Sequence, residues 1–280
     1  MDDVLATVVK VCVDGDELRV MDQLIRAVLK AGDAINSLYE QPHEIEFKGE
    51  IDLVTEADYK SEEVLLSSLK GLAGAEPMAE ESFKLKGMPE GRFWIIDPLD
   101  GTTNFAHGFP FFAPSVALAE ISDGRYETLM ACIYLPILKE CFWAIKGKGA
   151  YLNTKRISVS KEAFLDKALL ATGFPYDVRQ QPDQVVSALK DMIVRAQGIR
   201  RAGAAAIDLA YVACGRFDGF WEMKLKPWDT AAGMLLVEEA GGRVSDFSNG
   251  SYNPFLPEIC ATNGLIHEEM IEVLKDYGQL

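Results

Sequence analysis

The segment Phe93-Trp94-Ile95-Ile96-Asp97-Pro98-Leu99-Asp100-Gly101-Thr102-Thr103-Asn104-Phe105 constrains this chain more than any other. The apolar run Phe93 to Ile96 predicts a short buried strand that stops at an acid. Asp97 therefore stands at the carboxyl end of that strand. Pro98 fixes φ and has no N–H, which sharpens the turn. Asp100 follows three residues later, so both carboxylates can reach one point, and the Leu99 carbonyl between them can point the same way. Such an all-oxygen set suits Mg²⁺, Mn²⁺ or Ca²⁺. Gly101-Thr102-Thr103 then exposes backbone N–H groups where a helix or turn begins, and a terminus of that kind binds phosphate well. A lone Asp-x-x-Asp would more often just cap a turn; the strand exit and the Gly-Thr-Thr favour a site.

The rest of the chain supplies helices and strands in alternation. Leu18, Met21, Ile25, Val28, Leu29, Ile35 and Leu38 recur at three- and four-residue spacing, which predicts an amphipathic helix from about Glu17 to Tyr39. Thr55-Glu56-Ala57-Asp58 matches the capping-box pattern and opens a second helix that ends near Gly71–Gly74. Ser115–Ala119, Leu129–Leu135 and Glu140–Ile145 read as strands, with Pro136 in a hairpin connection. Ala168–Thr172 and Asp218–Met223 read as strands, and Val185–Ala196 and Ala204–Ala213 as helices. Asp229 is read as starting a last helix, stopped by Gly241-Gly242. This alternation predicts stacked layers, with two sheets rather than a barrel.

Other acids have plain readings when each is taken alone. Glu80-Glu81 would be solvated surface, Asp229 an N-cap and Asp58 the acid of its capping box. At 280 residues, 49% hydrophobic and 25% charged, the chain is expected to bury a sizeable core. A formal net charge of -15 argues against a nucleic-acid surface. A phosphate substrate would be repelled by so acidic a protein unless bound cations reverse the local sign. Three scattered histidines, His43, His107 and His267, argue against zinc. Cys12, Cys132, Cys141, Cys214 and Cys260 form no C-x-x-C pair and read as reduced thiols of a cytoplasmic protein. No signal peptide or membrane span is expected.

Four segments in order carry a family resemblance: Asp52-Leu53-Val54-Thr55-Glu56-Ala57-Asp58; Glu80-Glu81-Ser82; Trp94 through Phe105; and Trp228-Asp229 with Glu239-Ala240-Gly241-Gly242. The chain resembles the inositol monophosphatase family. The resemblance implies a layered α/β/α/β/α sandwich of the sugar phosphatase type, one phosphatase domain over 1–280 with halves at about 1–145 and 146–280, usually a homodimer. It implies two or three Mg²⁺ ions and lithium sensitivity. Glu80, Asp97 and the Leu99 carbonyl would hold the first metal, and Asp97, Asp100 and Asp229 the second, with Glu80 also on a third through water. Thr102 and Asp58 would orient and deprotonate the attacking water, with Glu80 also counted among the catalytic residues. Asp100, Gly101, Thr102, Gly203, Ala205, Glu222 and Asp229 would contact the substrate, and Lys48 matches a basic residue near the site. The implied activity is hydrolysis of a small polyol or sugar phosphate, myo-inositol monophosphate first, by metal-activated water.

Finer features divide the branches. Thr103-Asn104-Phe105 and Glu222 look like the inositol branch, whereas the bisphosphate nucleotidase branch more often carries Lys-Glu-Phe at the former. Ala204 replaces a hydroxyl residue common in animal members, and Leu169–Asp177 looks like bacterial or archaeal members. Fructose-1,6-bisphosphatase, histidinol-phosphatase and 3′(2′),5′-bisphosphate nucleotidase activities are the alternatives. A metal-binding regulatory protein without turnover is the alternative of a different class.

Overall fold

A computed structural model describes residues 15–39, 41, 45–47, 53–82, 90–180 and 182–278. Cys12, His43, Lys48 and Asp52 lie outside those residues. Helix α1 (Gly15–Leu38) precedes the antiparallel ribbon β1 (Ile45–Phe47) and β2 (Leu53–Thr55), then α2 (Glu56–Leu69) and β3 (Glu76–Ala79). Strand β4 (Gly91–Asp100) and the short α3 (Thr102–Ala106) lead into β5 (Ala113–Ser122), β6 (Arg125–Leu135), β7 (Glu140–Ile145), β8 (Gly149–Leu152) and β9 (Lys155–Arg156). The remainder runs β10 (Leu169–Thr172), α4 (Pro182–Ile193), β11 (Gly198–Arg200), α5 (Ala205–Ala213), β12 (Gly219–Met223), α6 (Pro227–Glu239), β13 (Arg243–Ser245), β14 (Glu258–Thr262) and α7 (His267–Leu274).

Strands β3 to β9 form a seven-stranded sheet in sequence order, antiparallel except for the parallel pair β3 and β4. A five-stranded sheet has the order β11-β10-β12-β14-β13. The period of two along each strand divides its side chains between two cores. On the first sheet, Trp94, Ile96, Val116, Leu118 and Cys132 face α1 and α2, while Phe93, Ile95, Ala117, Ala119 and Ile133 face the other way. That second face packs on α5 and α6, whose opposite sides meet Ala171, Phe220, Ile259 and Ala261 of the five-stranded sheet. Leu170, Trp221 and Cys260, on that sheet's far face, pack with α4 and α7. The layers are therefore α/β/α/β/α, as expected. A middle layer of helices buried on two sides must be almost wholly apolar, and this is why α5 carries four alanines with Ile207, Leu209 and Val212.

Two boundaries differ from expectation in ways that matter to the site. Strand β4 does not stop at Asp97 but continues to Asp100, with a register shift against β5 between these two residues. Pro98 sits in that irregularity, where no ladder N–H is required of it. Helix α6 starts at Pro227, not Asp229: proline's fixed φ and missing N–H suit the first turn. Asp229 is then the third helical residue, and its carboxylate accepts the Lys226 N–H at 2.6 Å instead of capping from outside. Among the described residues no helix is long and apolar enough to cross a membrane.

Candidate active site

A cleft of about 460 Å³ opens where the carboxyl ends of β3, β4, β10 and β12 meet the N-termini of α5 and α6. Open α/β sheets offer ligands this kind of crevice. Glu80 follows β3, and its N–H donates to the Ile96 carbonyl at 3.1 Å, which extends the β3–β4 pairing and sets Glu80 beside Asp97. Asp97 and Asp100 come from the end of β4, Asp229 from the first turn of α6 and Glu222 from β12. All of them line the cleft, with Leu99, Gly101, Thr102, Gly203 and Ala205.

The acids are held by backbone donors. Asp97 Oδ1 accepts the Leu99 N–H at 2.9 Å, and Asp100 Oδ2 accepts the Ala206 N–H at 2.7 Å. The latter ties β4 to the first turn of α5, where the helix dipole favours a negative charge. Burial raises Asp97 well above the carboxylate range, and the nearby Glu80, Asp100 and Asp229 charges raise it further. Asp100 is pushed up to about 7, mainly by burial, against the favourable Ala206 N–H and with help from Glu80. Glu222 rises to about 8 through burial and then Asp229, with Arg201 acting in the opposite sense.

Asp58 lies outside the cleft lining but reaches it through Thr102. Its Oδ2 accepts the Thr55 N–H at 2.8 Å and the Thr55 hydroxyl at 2.7 Å, completing the capping box of α2. Its Oδ1 accepts the Thr102 hydroxyl at 3.0 Å. One carboxylate thus anchors a helix and orients a cleft hydroxyl. Gly101 is needed where it stands: its φ is +88°, and a Cβ would sit 2.8 Å from the Phe111 carbonyl. Asn104 locks the turn from behind, donating to the carbonyls of Phe111 at 2.8 Å and Ala202 at 2.9 Å.

The donor set fits a hard divalent cation. Glu80, Asp97, Asp100 and Asp229 are all oxygen donors, and the field they exert on Asp97 is one that a cation relieves. Among the described residues no three His, Cys, Asp or Glu side chains stand close enough together to hold an ion as they are placed. Sequence reasoning missed Asp208, Arg201, Phe174 and Tyr176, which also line the cleft. Asp208 carried a usable signal: it is the single charged residue in the apolar stretch Ala204–Ala213. A charged residue is rarely fully buried, which marks Asp208 out.

A layered α/β/α/β/α chain with an acid-lined cleft at its strand ends has the architecture of the sugar phosphatases. Within that class, the chain belongs to the inositol monophosphatase family, whose model matches residues 16–279. It is 44% identical over 250 residues to an inositol-1-monophosphatase of Synechocystis, covering 89% of this chain and 86% of that protein. It is 42% identical over 255 residues to Nus factor SuhB of Escherichia coli K12, covering 90% and 94%. The crystal structure of the extragenic suppressor protein suhB from Bartonella henselae superposes with a TM-score of 0.83 at 39% identity, covering 92% of this chain and 98% of that one. Inositol monophosphatase from Anabaena superposes with a TM-score of 0.80 at 38% identity, covering 92% and 96%. Membership makes this protein a phosphatase.

Proposed function

We propose that this phosphatase is magnesium-dependent and hydrolyses a small polyol phosphate, myo-inositol monophosphate first. The observation that carries the reading is the convergence of Glu80, Asp97, Asp100 and Asp229 on one cleft beside the Thr102–Asp58 pair. Relatives named inositol-1-monophosphatase support the substrate class. In this reading Glu80, Asp97 and the Leu99 carbonyl would hold one ion, and Asp97, Asp100 and Asp229 another. Bound Mg²⁺ would supply Lewis acidity to the phosphoryl oxygens and lower the pKa of a coordinated water.

The chain's own groups do the positioning. The Thr102 hydroxyl has one hydrogen and two acceptors within 3.0 Å, Asp58 Oδ1 and the Leu99 carbonyl. When it donates to Asp58, its lone pairs face the cleft and accept a hydrogen from water, so a proton leaves along water, Thr102 and Asp58. The Thr55 hydroxyl and N–H hold Asp58 by its other oxygen, so the carboxylate that faces Thr102 is fixed in orientation. Gly101 and Thr102 present backbone N–H groups to phosphate oxygens. Glu222, with Gly203 and Ala205 nearby, faces the leaving group's hydroxyls.

The test is phosphate release with and without Mg²⁺ from inositol 1-phosphate, fructose 1,6-bisphosphate, histidinol phosphate and 3′-phosphoadenosine 5′-phosphate, each also with Li⁺. Magnesium-dependent release that is greatest from inositol 1-phosphate supports the reading, and preference for another substrate moves the chain to that branch. A second reading, a regulatory protein without turnover, rests on the relative named Nus factor SuhB. Folded, metal-binding protein that releases phosphate from none of the four would establish it.

A further inference from the structure

Helix α2 changes character along one face. Its buried residues are Ala57, Asp58, Ser61, Glu62, Leu65 and Leu69, a single stripe at three- and four-residue spacing. Leu65 and Leu69 join the apolar core shared with α1 and the seven-stranded sheet. The earlier part of the same stripe is polar, although Ser61 is 0% exposed and Glu62 6%. A helix that only packed on the sheet would be apolar there too, because a buried hydroxyl or carboxylate costs stability unless it is hydrogen-bonded. Each polar side chain of the stripe is bonded to a different piece of the cleft. Asp58 Oδ1 accepts the Thr102 hydroxyl at 3.0 Å. The Ser61 hydroxyl donates to the Pro98 carbonyl at 2.6 Å. Glu62 Oε2 accepts the Glu81 N–H at 3.0 Å.

We propose that Ser61 and Glu62 are positioning residues of the metal site: Ser61 fixes the irregular end of β4, and Glu62 fixes the loop that carries Glu80. The inference rests on the magnesium-dependent reading and extends it. Pro98 lies between Asp97 and Asp100, where the pairing of β4 with β5 shifts register. A shifted register interrupts the ladder that holds a strand end, and the Ser61 hydroxyl supplies a hold on the backbone between the two acids. Glu80 is the first residue beyond β3. Its own N–H is held by the Ile96 carbonyl at 3.1 Å, and the next N–H, that of Glu81, by Glu62. The backbone is therefore tied on both sides of the Glu80 side chain. Carboxylates that repel one another move apart unless their backbones are held, and a ligand set in place by its supporting hydrogen bonds binds an ion more tightly. A single helix with Asp58, Ser61 and Glu62 on one face sets Thr102, the β4 end and the Glu80 loop in register with one another.

The experiment is Mg²⁺ titration calorimetry on the full chain, with the melting temperature of each variant and phosphate release from inositol 1-phosphate across Mg²⁺ concentrations. Glu62→Asp keeps the charge and shortens the reach to the Glu81 N–H, whereas Glu62→Gln keeps the reach without the charge. Glu62→Asp and Ser61→Ala are each expected to weaken Mg²⁺ binding about tenfold, and saturating Mg²⁺ to restore most of kcat. Glu62→Gln is expected to bind Mg²⁺ as wild type does, because its amide oxygen accepts the same N–H. Ser67→Ala, on the exposed side of α2, is expected to change neither affinity nor turnover. A merely structural role lowers the melting temperature and leaves the Mg²⁺ affinity of the folded protein as it was. Unchanged affinity in Glu62→Asp or in Ser61→Ala overturns the assignment. So does a Glu62→Gln variant that loses as much as Glu62→Asp, since the charge and not the hydrogen bond is then what matters. Wild type that binds no Mg²⁺ overturns the magnesium-dependent reading and this one with it. Wild type that binds Mg²⁺ and releases phosphate while Glu62→Asp matches it in both sinks this one alone.

Discussion

At the scale of single residues, Asp58 and Thr102 set the sharpest expectation. Thr102→Ala removes the hydroxyl that links the cleft to Asp58 Oδ1 at 3.0 Å. Phosphate release should fall on the order of 100-fold in kcat, the usual contribution of a positioned acid–base group. Thr102→Ser should recover most of it, since the oxygen returns without the methyl. If alanine and serine lose equally, the hydroxyl is not in the relay. Asp97→Asn should abolish most turnover while the metal-free protein melts no lower, because burial first, and then Glu80, Asp100 and Asp229, disfavour a charge there and the amide carries none. Near-normal turnover in that variant would take Asp97 out of the mechanism. Asp97, Asp100 and Thr102 were legible in the sequence because strand exit, turn and hydroxyl follow one another in a single segment. Arg201 was not, because its place at the cleft exists only once the residue 201–203 turn packs against Phe174.

At the scale of elements, the middle layer decides how the two halves of the cleft meet. Gly233 on α6 faces Leu209 on α5, and a Cβ at 233 would lie 2.5 Å from the Leu209 Cβ. Gly233→Ala therefore sets two effects against each other. Alanine is the better helix former by about 1 kcal/mol, whereas overpacking a close helix contact costs about 1–3 kcal/mol. The contact should win, and the melting temperature should drop. Because Ala206 on α5 holds Asp100 and α6 carries Asp229, splaying the pair should also weaken magnesium binding, which titration calorimetry would read. A raised melting temperature with unchanged binding would mean that the helices part without disturbing the acids. The periodic helices and the long apolar strands were foreseeable from the sequence. Short strands such as β3, β11 and β13 were not, because three or four residues carry too little alternation to identify them, and their place is set by neighbours already in the sheet. The start of α6 was misread for a related reason: an acid followed by an apolar helix suggests a cap, and only the backbone shows Pro227 already helical.

At the scale of the whole molecule, the acidic cleft should couple metal, pH and stability. Folded Asp100 and Glu222 hold their protons up to about 7 and about 8, whereas in an unfolded chain carboxylates release them near pH ~4. Between those limits the metal-free folded protein carries more protons than the unfolded one. This contribution to stability is therefore full at the acid end and is lost as pH rises through the folded values. His267 works the other way. Buried and held between the Ser245 and Thr262 hydroxyls at 3.0 and 2.9 Å, it is lowered to about 4, so its contribution is lost as pH falls. A melting temperature against pH alone would mix the two. The rise in melting temperature on adding Mg²⁺ separates them, because His267 contributes equally with and without the ion. Magnesium binds the ionised carboxylates, so it must displace protons at low pH and finds the site already ionised, and repelling itself, at high pH. The magnesium-induced rise should therefore be larger at pH 8 than at pH 5.5, reaching about 5 °C at an ion concentration near 100 times Kd. Asp97→Asn should flatten the difference between the two pH values. An equal rise at both in the wild type would show that the cation binds elsewhere on the acidic surface, and that Asp97, Asp100 and Asp229 are not its ligands.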